Sequence, residues 1–138
     1  MLKLLALLFP ISSACSFADA TEGCKSFAQW TIYLDREDSP ILEEEHCGSQ
    51  RKWVLRSHTG VLVDQMTVPE LPKGSEVNYG DCRINGVLRR DLIAIVKHSP
   101  RMEWSRKVRR VWMVSAQQKI MEASTAGVEC RNEGYGVD

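Results

Sequence analysis

The stretch Tyr79-Gly80-Asp81-Cys82-Arg83-Ile84-Asn85-Gly86-Val87-Leu88 carries the strongest local structural signal in the chain. Asn-Gly is the pair that most readily adopts the two positive φ angles of a type I′ turn, so Asn85-Gly86 predicts a tight β-hairpin. The chain then enters residues 91–97, where five successive apolar residues predict a central strand that is buried on both faces. These two segments together indicate a β domain.

Patterns typical of strands occur on both sides of this central segment. Trp30, Ile32 and Leu34 recur at period two, which predicts that they share one face of a strand. Further strands are predicted at residues 41–47, 52–56, 61–64 and 108–114. The sum is about seven or eight short strands with hairpins and little helix, hence a mainly β fold: a small single-domain antiparallel barrel or sandwich.

Residues 115–118, Ser-Ala-Gln-Gln, have two interpretations. A serine followed by glutamine three residues later fits a helix cap, and the same residues fit a turn between two strands. Because the helix would be short, we predict the turn. Pro69 and Pro72 predict a loop, since proline cannot donate to a strand ladder.

The N-terminus has the pattern of a secretory signal peptide. Lys3 precedes an apolar run over residues 4–11, which is too short to cross a membrane, since a spanning helix needs roughly 20 residues. The small-x-small pattern of residues 18–20 predicts cleavage after Ala20. We therefore expect residues 1–20 to be removed and residues 21–138 to form one domain, without a transmembrane helix.

Cys15 allows a second processing route. Ser13-Ala14-Cys15 fits the lipidation site of bacterial lipoproteins, in which the cysteine becomes the first residue. Ser12 stands where such sites usually have leucine, so we favour cleavage after Ala20 and keep a lipid anchor at Cys15 as the alternative. Both routes predict a periplasmic or secreted protein.

Removal of residues 1–20 leaves four of the five cysteines, an even number that suits paired disulfides in an oxidising compartment. Of the three possible pairings we predict Cys24–Cys47 and Cys82–Cys130, because each closes a contiguous segment of the β pattern. The loop-entropy model assigns these crosslinks about 3.5 and 4 kcal/mol respectively. The cysteines lack the spacing of a zinc site, and only His46 lies beside one of them, so we predict no metal and no cofactor.

Charge is balanced overall but unevenly distributed. Residues 21–138 contain 17 basic and 17 acidic side chains, which argues against a general nucleic-acid binder. Residues 21–82 carry 11 acidic and 6 basic groups, whereas residues 83–138 carry 6 acidic and 11 basic groups. Separate layers would make the domain an electric dipole. We expect instead that strands of the two halves interleave in one sheet and neutralise each other.

Glu43-Glu44-Glu45 is the densest acidic run. On a strand, two of its carboxylates would share a face and could bind a cation or a basic partner. We favour the simpler interpretation, a solvent-exposed strand or turn.

A basic and aromatic cluster is the strongest candidate binding site. It consists of Trp104, Arg106, Lys107, Arg109 and Arg110. An exposed tryptophan beside arginines is a common interface anchor, and outside the cytoplasm its targets would be an acidic protein or an anionic envelope component. The alternatives are an edge strand that its charges protect from aggregation and a packed Trp104.

The sequence matches no catalytic motif, and His46, His58 and His98 lie in no recognised spacing. We therefore predict an exported, non-catalytic binding module; inhibitors and immunity-type proteins that act on envelope proteins are one class built this way. The first alternative is a small envelope hydrolase that uses Asp81, Glu103 or His98 in a cleft. The second is a structural subunit of an envelope assembly, which would present a large apolar patch.

Overall fold

The computed structural model describes residues 23–136, and every regular element in that range is a β-strand. In chain order the strands are β1 (Cys24–Thr31), β2 (Ile41–Cys47), β3 (Gln50–Arg56), β4 (Leu62–Thr67), β5 (Glu76–Tyr79), β6 (Cys82–Ile84), β7 (Val87–Arg89), β8 (Leu92–Lys97), β9 (Trp104–Ser105), β10 (Lys107–Val114), β11 (Ile120–Ala123) and β12 (Val128–Arg131). The predicted mainly β class is confirmed. The predicted signal at residues 1–20, with Cys15, lies outside the described residues. Within residues 23–136 no helix has the length and apolarity needed to span a membrane.

The strands form three open, antiparallel, four-stranded sheets. Sheet A has the order β1-β2-β3-β4, sheet B the order β11-β10-β8-β5, and sheet C the order β7-β6-β12-β9. Sheet B supplies side chains to the core shared with sheet A and to the core shared with sheet C, so it lies between them. Of the two predicted architectures, the sandwich is therefore the one that fits.

Alternate residues of β8 enter two separate hydrophobic cores, which explains why its apolar run is uninterrupted. Ile93 and Ile95 face sheet A and belong to the core that contains Trp53. Ala94 faces sheet C and packs in the core around the buried Cys82–Cys130 disulfide. The predicted central strand, buried on both faces, is confirmed.

Both predicted disulfides are present, and each joins two residues that lie directly opposite each other in an antiparallel ladder. Cys24–Cys47 links β1 to β2, and Cys82–Cys130 links β6 to β12. The predicted hairpin turn is also present, because Asn85 and Gly86 have φ angles of 49° and 82°. Residues 115–118 form the predicted turn, in which the Gln118 amide donates to the Ser115 carbonyl at 2.9 Å.

The period-two pattern over Trp30, Ile32 and Leu34 is only partly realised. Trp30 and Ile32 pack in the core between sheets A and B, but β1 ends at Thr31 and Leu34 is 74% exposed. The Tyr33 amide donates to the Ser39 hydroxyl at 2.8 Å, so the backbone turns before Leu34 can join the same face.

The strands of the two halves separate into sheets A and C, and the expected interleaving in one sheet occurs only in sheet B. Sheet A contains strands from residues 24–67 alone, and sheet C contains strands from residues 82–131 alone. From the acidic half, only β5 joins sheet B. The strands of sheet A carry four acidic and four basic side chains, so the separation of the two halves does not by itself give the domain an electric dipole.

A side chain at Gly80 would be disfavoured both by the backbone conformation and by contacts with neighbouring atoms. Its φ angle is 66°, and a Cβ atom would lie 3.0 Å from Trp30 Cδ1 and 3.1 Å from the Arg90 carbonyl oxygen. We expect Gly80→Ala to lower the free energy of unfolding by about 1–3 kcal/mol in urea titrations. Gly60→Ala is the matched control, because Gly60 has a φ of 89° and no atom near its Cβ position. Equal losses in the two variants would show that the Trp30 contact adds nothing.

Candidate functional site

The five residues of the predicted binding cluster do not form one patch. Trp104 and Arg106 belong to a charged network around sheet C, and Arg110 is paired with a carboxylate of β11. Lys107 and Arg109 remain exposed near the start of β10, without an ion-pair partner among the described residues. The structure thus divides the cluster into paired and unpaired cations.

Trp104 is half-buried and is packed against two arginines. The guanidinium carbon of Arg83 lies 3.9 Å from the centre of the Trp104 ring, and that of Arg131 lies 5.2 Å from it. Arg83 is 2.6 Å from Glu129, and its hydrogen bond lowers the pKa of that carboxyl, while Arg131 is 3.8 Å from Asp81. The Trp104 ring is therefore already in contact with arginines of the same domain and is not a fully exposed interface anchor.

Arg106 and Arg110 are both engaged with carboxylates, in different parts of the fold. Arg106 Nε lies 3.0 Å from Glu129, with its side chain 74% exposed. Arg110 Nη2 lies 2.5 Å from Glu122 on β11, and its guanidinium carbon lies 4.7 Å from the centre of the Trp112 ring. Trp112 belongs to the core towards sheet A, so Arg110 lies on that side of sheet B.

Lys107 faces a second lysine across the ladder between β8 and β10. Its Cα is directly opposite that of Lys97, and Arg109 occupies the bulge that shifts the register between Val108 and Arg110. Lys97, Lys107 and Arg109 are exposed, and no carboxylate within residues 23–136 pairs with them. We call these three residues the cationic patch. Sequence reasoning missed Lys97, because only the strand register places it opposite Lys107.

The acidic run 43–45 contains a buried ion cluster, so the expected solvent-exposed strand is wrong. Glu44 is fully buried; Arg51 Nη2 donates to it at 2.6 Å, His46 Nε2 lies 2.7 Å from it, and the Tyr79 hydroxyl donates to it. Burial by itself would raise the pKa of Glu44, but the hydrogen bonds from Tyr79, His46 and Arg51 outweigh it and lower that pKa. Burial and the contact with Glu44 raise the pKa of Tyr79.

Glu43 and Glu45 share one arginine. Arg56 Nε lies 3.4 Å from Glu43, and Arg56 Nη2 lies 2.9 Å from Glu45. Burial, followed by the hydrogen bond with Glu45, raises the pKa of Glu43. Glu45 also lies near both sulfurs of Cys24–Cys47. Since those sulfurs are joined in a disulfide, they lack the thiolate that binds a metal.

A cavity of about 290 Å³ lies between β5 and residues 131–134. Of the three residues considered for a hydrolase, Asp81 and His98 line this cavity, and Glu103 is an exposed residue that does not. Glu76 also lines it, with its carboxylate 4.0 Å from His98 Nε2. The cavity is thus the place where acid–base chemistry would have to occur.

A serine completes a hydrogen-bonded chain behind this cavity. His98 Nδ1 lies 2.5 Å from the Ser105 hydroxyl oxygen, on the opposite side of the ring from Glu76. Serine, histidine and glutamate are the residue types of a nucleophilic triad, but Ser105 is 1% exposed and does not line the cavity. A hydroxyl in that position holds the imidazole in place and cannot reach a substrate.

Comparison with family models, curated proteins and solved structures found no match to this chain. Two surface features have charges that the described residues leave largely unbalanced: the cationic patch and the acidic cavity beside β5. The three residues of the patch are exposed on the neighbouring strands β8 and β10 and do not line the cavity beside β5. Such a surface suits a macromolecule better than a small ligand.

Proposed function

We propose that this chain is an extracytoplasmic, non-catalytic binding module that holds an acidic protein through the cationic patch. The Lys97–Lys107 pair is the observation that carries the proposal. Like charges directly opposite each other on neighbouring strands are destabilising, and no described carboxylate compensates them. An acidic partner would supply that compensation and would be recognised by charge complementarity.

The surroundings of the patch support a protein partner. Lys97 and Lys107 are on paired strands of the middle sheet, β8 and β10, so their backbones are held on a rigid scaffold. Arg106 immediately precedes Lys107, is 74% exposed and shares Glu129 with Arg83. A partner's carboxylate could therefore add to the contacts of Arg106 without breaking a buried ion pair.

The proposed location outside the cytoplasm rests on the disulfides and the N-terminal pattern. Both disulfides suit an oxidising compartment, and residues 1–20 have the composition of an export signal. A lipid anchor at Cys15 is compatible with the same role. Inhibitors and immunity-type proteins directed at an envelope protein are the class that this combination favours, by analogy of build alone.

Lys107→Glu should separate the stability of the fold from the binding function. A glutamate opposite Lys97 replaces repulsion by attraction, so we expect the free energy of unfolding to rise by about 0.2–1 kcal/mol in urea titrations. The same change should reduce capture of the acidic partner roughly tenfold. Capture is measured by mass spectrometry after pull-down from periplasmic extract with immobilised protein.

Lys119→Glu is the matched control, since Lys119 is exposed in a turn and the charge change is identical. We expect its capture to equal that of the wild type. Equal capture by all three proteins would contradict the assignment of the patch, and equal loss in both variants would show dependence on net charge alone. If the wild type bound anionic lipid vesicles and captured no protein, the partner would be an anionic envelope component and not an acidic protein.

The hydrolase is the less supported candidate. Asp81 and His98 lie in one cavity as that function requires, but the serine that contacts His98 is buried behind it. A hydrolase that used this cavity would therefore need a water nucleophile, activated by His98 or Asp81.

A further inference from the structure

The strand β5 has one neighbour, β8, and its other edge is open. The Gly80 amide donates to the Leu92 carbonyl at 2.9 Å, in register with the β5–β8 ladder. Hydrogen-bonded and non-bonded pairs alternate in an antiparallel ladder, so the N–H and C=O groups of Val77 and Tyr79 point away from β8. No backbone hydrogen bond to these groups comes from the described residues.

This open edge borders the 290 Å³ cavity. Val77 and Tyr79 line the cavity although their side chains pack into the core towards sheet A, so their backbone edge is the part that faces it. Residues 131–134 form the opposite wall. The side-chain amide of Asn78 joins the two walls, because its Nδ2 donates to the Arg131 carbonyl at 3.2 Å. The result is a groove that runs beside the unpaired edge of a strand.

The groove is acidic. Glu76, Asp81 and Glu133 line it with a single guanidinium, that of Arg131, which lies 3.8 Å from Asp81. The Glu76 side chain is 72% exposed, and its carboxylate lies 4.0 Å from His98 Nε2. The lining therefore has an excess of carboxylates that a basic side chain would balance.

Lysine, proline and a bulge are three features that protect edge strands from pairing, and β5 has none of the three. We propose that the open edge of β5 is a strand-addition site for an extended segment of another protein that carries a lysine or arginine. Main-chain hydrogen bonds to Val77 and Tyr79 would provide the pairing, and the basic side chain would lie among Glu76, Asp81 and Glu133. A second copy of this chain is disfavoured as the occupant, because it would bring the same carboxylates together.

Amide hydrogen exchange in the free protein and with a peptide tests the pairing directly. The probe is the peptide acetyl-Thr-Val-Lys-Val-Lys-Thr-amide, added to protein labelled with nitrogen-15. In the free protein we expect the Val77 and Tyr79 amides to exchange faster than the Asn78 amide, which faces β8. Bound peptide should slow exchange at Val77 and Tyr79 roughly tenfold or more, because both amides then become hydrogen-bonded.

Two altered peptides distinguish strand pairing from simple attraction between charges. A peptide of the same sequence, N-methylated at alternate residues on its pairing edge, keeps both positive charges but cannot complete the ladder, and it should not bind. A peptide with glutamate in place of both lysines should also not bind. Equal binding of the N-methylated and unmodified peptides would overturn the proposal, as would appearance of a dimer of the protein in place of a peptide complex.

Protein variants test the charge of the groove. The double variant Glu76→Lys with Glu133→Lys should weaken peptide binding roughly tenfold or more, whereas Glu37→Lys with Glu70→Lys makes the same charge change at exposed positions outside the groove and should leave affinity unchanged. Equal losses in the two double variants would contradict the site. Because neither variant alters Lys97, Lys107 or Arg109, failure here is independent of failure at the cationic patch.

Discussion

Replacement of Glu44 by alanine is expected to lower the free energy of unfolding by about 3 kcal/mol. Removing one partner of a buried ion pair typically costs about 3–5 kcal/mol, because the remaining charge is left uncompensated. The lower end applies here, since the Arg51 and His46 side chains are 39% and 38% exposed and keep some contact with water. The Tyr79 hydroxyl would also lose its acceptor. Urea unfolding monitored by tryptophan fluorescence measures the change.

Glu44→Gln and Glu37→Ala complete the comparison. Glutamine keeps the shape and accepts one hydrogen bond but cannot neutralise Arg51, so an intermediate loss is expected. Glu37 is exposed, and its replacement should change stability by no more than about 0.5 kcal/mol. If Glu44→Ala unfolded at the same urea concentration as Glu37→Ala, the buried cluster would contribute nothing to stability.

The same residue gives the domain a defined response to acid. Because the folded pKa of Glu44 is lowered, its contribution is fully present above the unfolded glutamate pKa of about 4.3 and is lost as the pH falls through the folded value. Glu43, whose folded pKa is raised, acts with the opposite sign: its contribution is present at low pH and is lost as the pH rises through the folded value. Glu44→Gln removes the titrating carboxyl, so its stability should fall less steeply than that of the wild type as the pH drops below about 4.3. An unchanged acid profile would refute the assignment of this acid response to Glu44.

Replacement of both Cys82 and Cys130 by alanine is expected to lower the free energy of unfolding by at least about 4 kcal/mol. The crosslink spans 48 residues, and a loop of that length restricts the unfolded chain strongly. Both residues are fully buried in the core towards sheet C, so the loss of their sulfur atoms adds a packing defect. Urea or thermal unfolding under oxidising conditions measures the effect.

The Cys24–Cys47 pair is the matched control for this variant. Its crosslink spans 23 residues, and both of its cysteines are partly exposed at the end of a hairpin. We expect its replacement by alanine to cost no more than about 3.5 kcal/mol. If the Cys82 and Cys130 variant were the more stable of the two, burial and loop length would not explain the contribution of these disulfides.

The parts of the fold that could be predicted depend on short-range chemistry. The hairpin turn could be predicted because Asn85 and Gly86 themselves favour its positive φ angles, and β8 could be predicted because its apolar run is unbroken. The disulfides followed from the number of cysteines and the order of the hairpins. Leu34 could not be placed in this way, because the Ser39 hydroxyl binds the chain just before it and ends the strand pattern.

The candidate site shows the same division between local and long-range information. Lys107 and Arg109 were predicted from their neighbours in the sequence, but Lys97 joins them only through strand register. Glu44 could not be recognised as buried, because its partners Arg51 and Tyr79 come from two other strands. Composition alone also left open whether the two halves of the chain would share a sheet, and only the strand pairing shows that sheet B is the one they share.

The order of strands in the sheets indicates the order in which strand pairs form during folding. Sheet A joins neighbours in the chain, β1 to β4, whereas sheet C needs β12 to connect β6 with β9. Pairings of low contact order form early and remote pairings form late. Cys82 therefore gains its native disulfide partner only when β12 pairs with β6, so formation of the Cys82–Cys130 bond marks the addition of that strand.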